Sequence, residues 1–256
     1  LVMQLYWLAR CYFYRILFAC CFFAGFNNCY DAELFEELKK VLLYVKGHID
    51  FKQVYCVEPG SKLELTFVCD ADYSGDRPST FGGLGWLNDC MIYAHSSTIK
   101  TAVTSSTESE AHSIFEFTKM GIYCANWITE LVGYVLRPFY VFNDNASDIL
   151  ILTTRSNSSK SKHFDIKLRY VNFEHEQKNV KVAFIPRELN GADMLTHPLS
   201  APSFEKMIDI NEGSTTVFHL GGDLNTGPQV YYTFMGFYDP SSNSCIPVNN
   251  YQVNYE

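Results

Sequence analysis

The sequence predicts an α/β fold, a mixed sheet flanked by helices and preceded by a small helical segment, on three observations. The stretch Leu63–Asp72 alternates Leu63, Leu65, Phe67 and Cys69 with Glu64, Thr66, Val68 and Asp70, the period-two pattern of a strand. Apolar residues recur at helical spacing after Asp31 and again after Ser106. Beyond the opening strand the pattern changes to short strands, then helix, strand, helix, strand, helix, the alternation from which α/β layers are built.

The 256 residues suffice for one or two domains, and 47% hydrophobic with 19% charged residues is a globular rather than a disordered composition. With a net charge of −8 the chain as a whole is not an electrostatic nucleic-acid binder. The charge is uneven, however. Lys160, Lys162, Lys167, Arg169, Lys178, Lys181 and Arg187 outnumber Asp165, Glu174 and Glu176, while residues 211–256 contain no Lys or Arg. A basic stretch beside acids suits a site where cations neutralise carboxylates and Lys or Arg meets phosphate. Nine scattered cysteines without a Cys-x-x-Cys pair argue against a zinc site and read as reduced, intracellular thiols.

In chain order, residues 1–26 read as buried helix. Gln4, Arg10 and Arg15 interrupt them, and the apolar run Ile16–Ala24 is far below the ~20 residues of a membrane span. Membrane association is the alternative for this stretch. The chain begins at Leu1 rather than Met and reads as a fragment. Asp31 caps the next helix, which shows Leu34, Phe35, Leu38, Val41, Leu42 and Val45 on one face and closes at Lys46-Gly47. After the opening strand and the break at Tyr73–Pro78, short strands are expected near Gly83–Leu87, Met91–Ala94 and Thr98–Thr104, with Asn88-Asp89 as a turn. The glycines around Gly82-Gly83-Leu84-Gly85 lack the Gly-Lys-Ser/Thr of a phosphate loop. A helix from Ser106/Thr107 buries Ala111, Ile114, Phe115, Thr118, Ile122 and Ala125. Strands follow at Phe139–Asn143 and Val180–Ile185. Helices are expected just after Asp144, from about Lys162 to Glu176, and at Glu188–Thr196 before Pro198. No function is assigned beyond about residue 210.

Four acids mark the ends of these elements: Asp70, Glu110, Asp144 and Asp193. Neighbouring strand ends of an open sheet meet at one crevice. Carboxylates gathered there repel one another unless divalent cations hold them, and hard oxygen ligands without His or Cys partners select Mg²⁺ or Mn²⁺ over zinc. Two such ions about 4 Å apart can activate water and stabilise the leaving oxygen of a phosphodiester. Each acid also fits a plainer role. Asp70 and Asp72 fit a turn; Glu110 completes the capping box Thr107-x-x-Glu110; Asp144 fits a helix cap; Asp193 fits a solvated helix position. No Ser-His-Asp or Cys-His arrangement has supporting context.

At these same residues the chain resembles the ribonuclease H region of copia-type retrotransposon Pol polyproteins. Cys69-Asp70-Ala71-Asp72-Tyr73-Ser74-Gly75-Asp76 resembles that family's Asp-Ala-Asp-Trp-Ala-Gly-Asp, and Ser79-Thr80 with Gly82 its Ser-Thr-Ser-Gly. Ser105–Glu110 resembles Ser-Ser-Thr-Glu-Ala-Glu, and Asp144-Asn145 the Asp-Asn pair. Ser161–Ile166 is similar to Thr-Lys-His-Ile-Asp-Ile, and Ala192–Leu199 to Ala-Asp-Ile-Leu-Thr-Lys-Pro-Leu. Val41–Gly47 is similar to the family's Val-Leu-Arg-Tyr-Leu-Lys-Gly, in the segment that joins polymerase to nuclease.

The resemblance implies a ribonuclease H-like five-stranded mixed sheet flanked by helices over residues 56–208, a helical connection segment at 1–55 and an unassigned tail at 209–256. It implies a metal-dependent endonuclease acting on the RNA strand of RNA–DNA hybrids. Asp70, Glu110, Asp144 and Asp193 would be catalytic ligands of two Mg²⁺ or Mn²⁺ ions, with Asp70 shared. Lys160, Lys162, His163, Lys167 and Arg169 would contact nucleic acid. The expected partners are the hybrid and the rest of a Pol polyprotein, without a membrane, in the cytoplasm or nucleus. The chain departs from the family at Asn143, where Cys is usual, at Asp148, where a small or apolar residue is common, and at His197, which replaces Lys. The polymerase's Tyr-Val-Asp-Asp motif is absent, so DNA synthesis is not expected. The departures keep open an alternative reading, an inactive remnant acting at most as a nucleic-acid-binding module.

Overall fold

A computed structural model describes residues 1–55, 61–75, 77–153 and 165–212, and beyond them the strands 216–219, 231–234, 236–239 and 244–247. The centre is a five-stranded mixed sheet in the order β3-β2-β1-β4-β5. Its strands are β1 (Leu65–Asp72), β2 (Thr80–Leu87), β3 (Cys90–Thr98), β4 (Phe139–Asn143) and β5 (Val180–Phe184). The hairpin strands β1, β2 and β3 are antiparallel, whereas β4 joins β1 in parallel and β5 joins β4 in parallel. This ribonuclease H-like order leaves β1 hydrogen-bonded on both sides. Parallel neighbours require crossovers, and α4 (Ser106–Val132), α5 (Ala146–Thr153) and α6 (Asp165–Glu176) provide them.

Both faces of the sheet are covered, and β1 shows why its alternation is imperfect. Leu65, Phe67 and Cys69 pack toward α4 and α6. Val68, on the other face, is also buried, against α1 (Val2–Cys11), α2 (Leu17–Ala24) and α7 (Ala201–Asn211). Leu17 and Cys20 sit deep in that second core, and Arg15 Nε donates to Glu212 Oε1 at 2.7 Å, tying the first helices to the end of α7. No helix among the described residues is long and apolar enough to cross a membrane. α3 (Ala32–Gly47) lies on the outside of this layer, with Asp31 Oδ1 accepting from Leu34 N–H at 2.8 Å as its cap. Only Leu38 of its apolar face is fully buried, and Phe35 is exposed.

Several expectations are corrected. Thr98–Thr104 is not a separate strand. β3 ends at Thr98, and the chain then leaves the sheet edge toward the cap of α4, with Ile99 N–H donating to Ser79 O. β2 begins earlier than its glycines suggest. Those glycines are needed: a Cβ on Gly83 would lie 2.4 Å from the Phe117 ring, and one on Gly121 of α4 would lie 2.1 Å from the Phe139 ring. The two bare backbones let α4 settle onto the sheet through Phe117, so Phe117 and Gly121 are buried while Phe115 and Ile122 are only partly covered. The expected helix at Glu188–Thr196 is instead two 3₁₀ turns, Arg187–Leu189 and Gly191–Leu195. Asn190 separates them, and its side chain caps the second by accepting from Ala192 N–H at 3.2 Å. α6 begins at Asp165, and the part of its expected range at Lys162–Phe164 lies outside the described residues.

Candidate metal centre

The four acids arrive from four elements. Asp70 is on the central strand β1; Glu110 is in the second turn of α4; Asp144 directly follows β4; Asp193 is inside the 3₁₀ turn Gly191–Leu195. The capping role open to Glu110 is taken by its neighbours. Ser105 Oγ accepts from Glu108 N–H at 3.2 Å, and the Glu108 carboxylate accepts from Thr104 N–H at 2.8 Å. Likewise Asn145, not Asp144, caps α5, with Oδ1 accepting from Ser147 N–H at 3.1 Å. Both acids are thereby left to face the crevice.

Around Asp70 the groups converge twice. One ligand oxygen each from Asp70, Glu110 and Asp144 lie within 4.8 Å of one another, and so do single ligand atoms of Asp70, Asp193 and His197. Asp70 is 5% exposed and Glu110 8%. Thr196 Oγ1 donates to Asp70 Oδ2, and Asn143 Nδ2 donates to Glu110 Oε2 at 2.9 Å. Asn143 is held in turn, its Oδ1 accepting from Asn145 N–H at 2.9 Å. These aligning groups, the Thr196 and Asn143 side chains and the Asn145 backbone N–H, follow from no spacing rule. Asn143 stood out in the sequence only as a departure from the family pattern.

Electrostatics mark the crevice as short of positive charge. Burial raises the pKa of Asp70, and Asp193 and Asp144 raise it further, against the Thr196 hydrogen bond and Arg187. Burial, then Asp70, pushes the Glu110 carboxyl up. Burial, then Asp193, raises Asp144, and burial with Asp72 raises Asp193. Among the described residues, the ion pairs involve none of the four. Buried carboxylates in this state fit hard divalent cations, which supply the missing charge and accept oxygen ligands.

Of the expected nucleic-acid contacts, Lys167 and Arg169 lie on α6. Lys167 Nζ is 2.6 Å from His112 Nδ1 of α4, and Arg169 is exposed. Lys160, Lys162 and His163 lie outside the described residues. Arg187, exposed beside the acids and acting electrostatically on Asp70, Asp144 and Asp193, was not singled out from the sequence.

No protein-family model matches the chain. Among curated proteins, it is 28% identical over 179 residues to the retrovirus-related Pol polyprotein from transposon RE1 of Arabidopsis thaliana. That match covers 68% of this chain and 12% of the polyprotein. The Pol polyprotein from transposon TNT 1-94 of Nicotiana tabacum is 28% identical over 176 residues, covering 68% and 13%. The Ty1-ER2 Gag-Pol polyprotein of Saccharomyces cerevisiae is 25% identical over 152 residues, covering 58% and 8%. The chain's homologues are retrotransposon Pol polyproteins. It spans about an eighth of the length of the plant relatives. Solved structures similar to this chain include RNase H1 from Halobacterium salinarum, at TM-score 0.37 and 15% identity, covering 52% of this chain and 94% of that one. Another is LC11-RNase H1 in complex with RNA/DNA hybrid, at TM-score 0.42 and 14% identity, again covering 52% and 94%. The fold is defined by the chain's own strand order, β3-β2-β1-β4-β5.

Proposed function

We propose that this chain is a ribonuclease H-type endonuclease that cleaves the RNA strand of RNA–DNA hybrids with two divalent ions, Mg²⁺ or Mn²⁺. The observation that supports it best is the convergence of carboxylates from four separate elements on Asp70. Asp70, Glu110 and Asp144 would hold one ion; Asp70 and Asp193 would hold the other. Ions bound there supply water activation and stabilisation of the leaving oxygen. The chain's own residues do the positioning. Thr196 fixes the Asp70 carboxylate and Asn143 fixes Glu110, while the central strand carries Asp70 and α4 carries Glu110. Arg187, Lys167 and Arg169, with Lys160, Lys162 and His163, would meet hybrid phosphates. The rest of a Pol polyprotein would be the covalent partner, residues 1–55 its connection to a polymerase, and the setting intracellular.

The test is hydrolysis of a labelled RNA–DNA hybrid with Mg²⁺ or Mn²⁺, beside Asp70→Asn. Loss of several kcal/mol of charge stabilisation lowers the rate by about 10³-fold. Equal, metal-independent cleavage by both proteins would sink the reading. One observation favours a second reading, an inactive hybrid-binding remnant: Asp148 is 1% exposed and neither carboxylate oxygen has a hydrogen-bond partner. It acts on Glu110 as a further negative charge. That reading predicts salt-sensitive binding without turnover, and cleavage above an Asp193→Asn control rules it out.

A further inference from the structure

His197 stands where the resemblance places a lysine. In the structure one of its ring nitrogens lies within 4.8 Å of ligand oxygens of both Asp70 and Asp193. A lysine there could only offset charge, because an ammonium has no lone pair to give a cation. An imidazole can bind, and what surrounds His197 sets it up to do so. Its Nδ1 is 3.1 Å from Thr196 Oγ1. The Thr196 hydroxyl has one proton, with Asp70 Oδ2 and, at 3.1 Å, Asp193 O as its acceptors, so toward His197 the oxygen acts as the acceptor. With Nδ1 as the donor there, the ring's lone pair lies on Nε2, the usual division of labour in a ligating histidine. One hydroxyl would thus orient two ligands of the same ion.

We propose that His197 is an imidazole ligand of the ion held by Asp70 and Asp193, and that this position takes Mn²⁺ in preference to Mg²⁺. The inference rests on the two-ion reading above and deepens it. Carboxylate oxygens alone serve Mg²⁺ and Mn²⁺ alike, whereas a nitrogen donor favours the transition ion. The Asp70–Glu110–Asp144 position has only oxygen donors, so the two positions differ in kind.

The experiment is Mn²⁺ titration of the full chain followed by electron paramagnetic resonance, with spin-echo detection of ¹⁴N coupled to the bound ion. The wild-type chain should show directly coordinated nitrogen. His197→Gln and His197→Lys should each bind Mn²⁺ through the acids without that signal, about tenfold more weakly, with Mg²⁺ affinity by competition little changed. Mn²⁺ bound to the wild-type chain without nitrogen coupling, or coupling that persists in both variants, overturns the assignment and leaves the two-ion reading standing. Failure of the wild-type chain to bind Mn²⁺ better than Asp70→Asn overturns both.

Discussion

The two faces of the sheet are covered in different ways. On one, α4 runs for 27 residues as a single rod, capped by Ser105 at its start and closed by Gly133 at φ 78°. It lies close to the sheet because Gly83 and Gly121 leave room for Phe117 and Phe139. On the other, among the described residues, four helices and three 3₁₀ turns (Tyr14–Ile16, Arg187–Leu189 and Gly191–Leu195) from opposite ends of the chain share the work, joined by Arg15 and Tyr14 to Glu212. Glu110 comes to the crevice on the first kind of layer and Asp193 on the second. One half of the centre therefore depends on local helix-forming signals, and the other on contacts between residues nearly two hundred positions apart.

Core truncations on the two faces give the largest expected effects. Phe117→Ala should cost about 3–5 kcal/mol and Leu17→Ala about 2–5 kcal/mol in denaturant unfolding, since both side chains are almost fully buried. If the faces form one cooperative unit, each variant shows one transition, shifted for fluorescence and circular dichroism alike. A separate early transition in Leu17→Ala would show instead that the N-terminal layer melts independently, sharpening the contrast.

The next effect depends on pH. Burial raises the Asp148 pKa to about 7. The folded chain therefore holds a proton that the unfolded chain releases near pH 4. Its stability contribution is full below that value and is lost as pH rises toward 7. Asp148→Ala, which removes the orphaned carboxylate, should raise stability at pH 8 by about 1–3 kcal/mol and flatten the slope between pH 4 and 7. An unchanged slope would mean that the remaining crevice acids, whose pKa values are also raised, carry the pH dependence. The smallest effect belongs to the cap. Ser105→Ala should cost about 1 kcal/mol, while Thr107→Ala, at the position the sequence pattern suggested, should cost much less. Equal losses would contradict the hydrogen bonding seen at Ser105 and Glu108.

How far the sequence could be read follows the same division. β1, β4, β5, α3 and α4 announce themselves by periodicity, because each depends on its own residues. α7 was not expected, although Ser200, Pro202 and the spacing of Phe204, Met207, Ile208 and Ile210 suit a helix start and an apolar face. The 3₁₀ turns at Arg187–Leu195 read as ordinary helix because their form is set by Asn190, whose amide also reaches Cys69 O at 3.3 Å. Which stripe of α4 faces inward, Phe117 rather than Phe115, was decided by glycines elsewhere in the fold. The four acids could be located through their family blocks. Their aligning partners could not, since Thr196 and Asp70 are 126 positions apart. The capping boxes misled by a few positions because Ser105, Thr107 and Asn145 all have side chains suited to the task.

The place of β1 in the sheet has one further consequence. With ladders on both edges and cores on both faces, its amides should exchange with solvent only when the whole domain opens. Asp70 thus stands on the slowest ground in the molecule. Asp193 hangs on a turn whose backbone bonds are local, Asp193 N–H to Asn190 O at 3.1 Å and Thr196 N–H to Asp193 O at 3.3 Å, and which side chains, Asn190 to Cys69 O and Asn211 to Gly191 O, tie to the rest of the fold. Breathing of the crevice would begin there, with the hub carboxylate still in register while the opposite wall loosens.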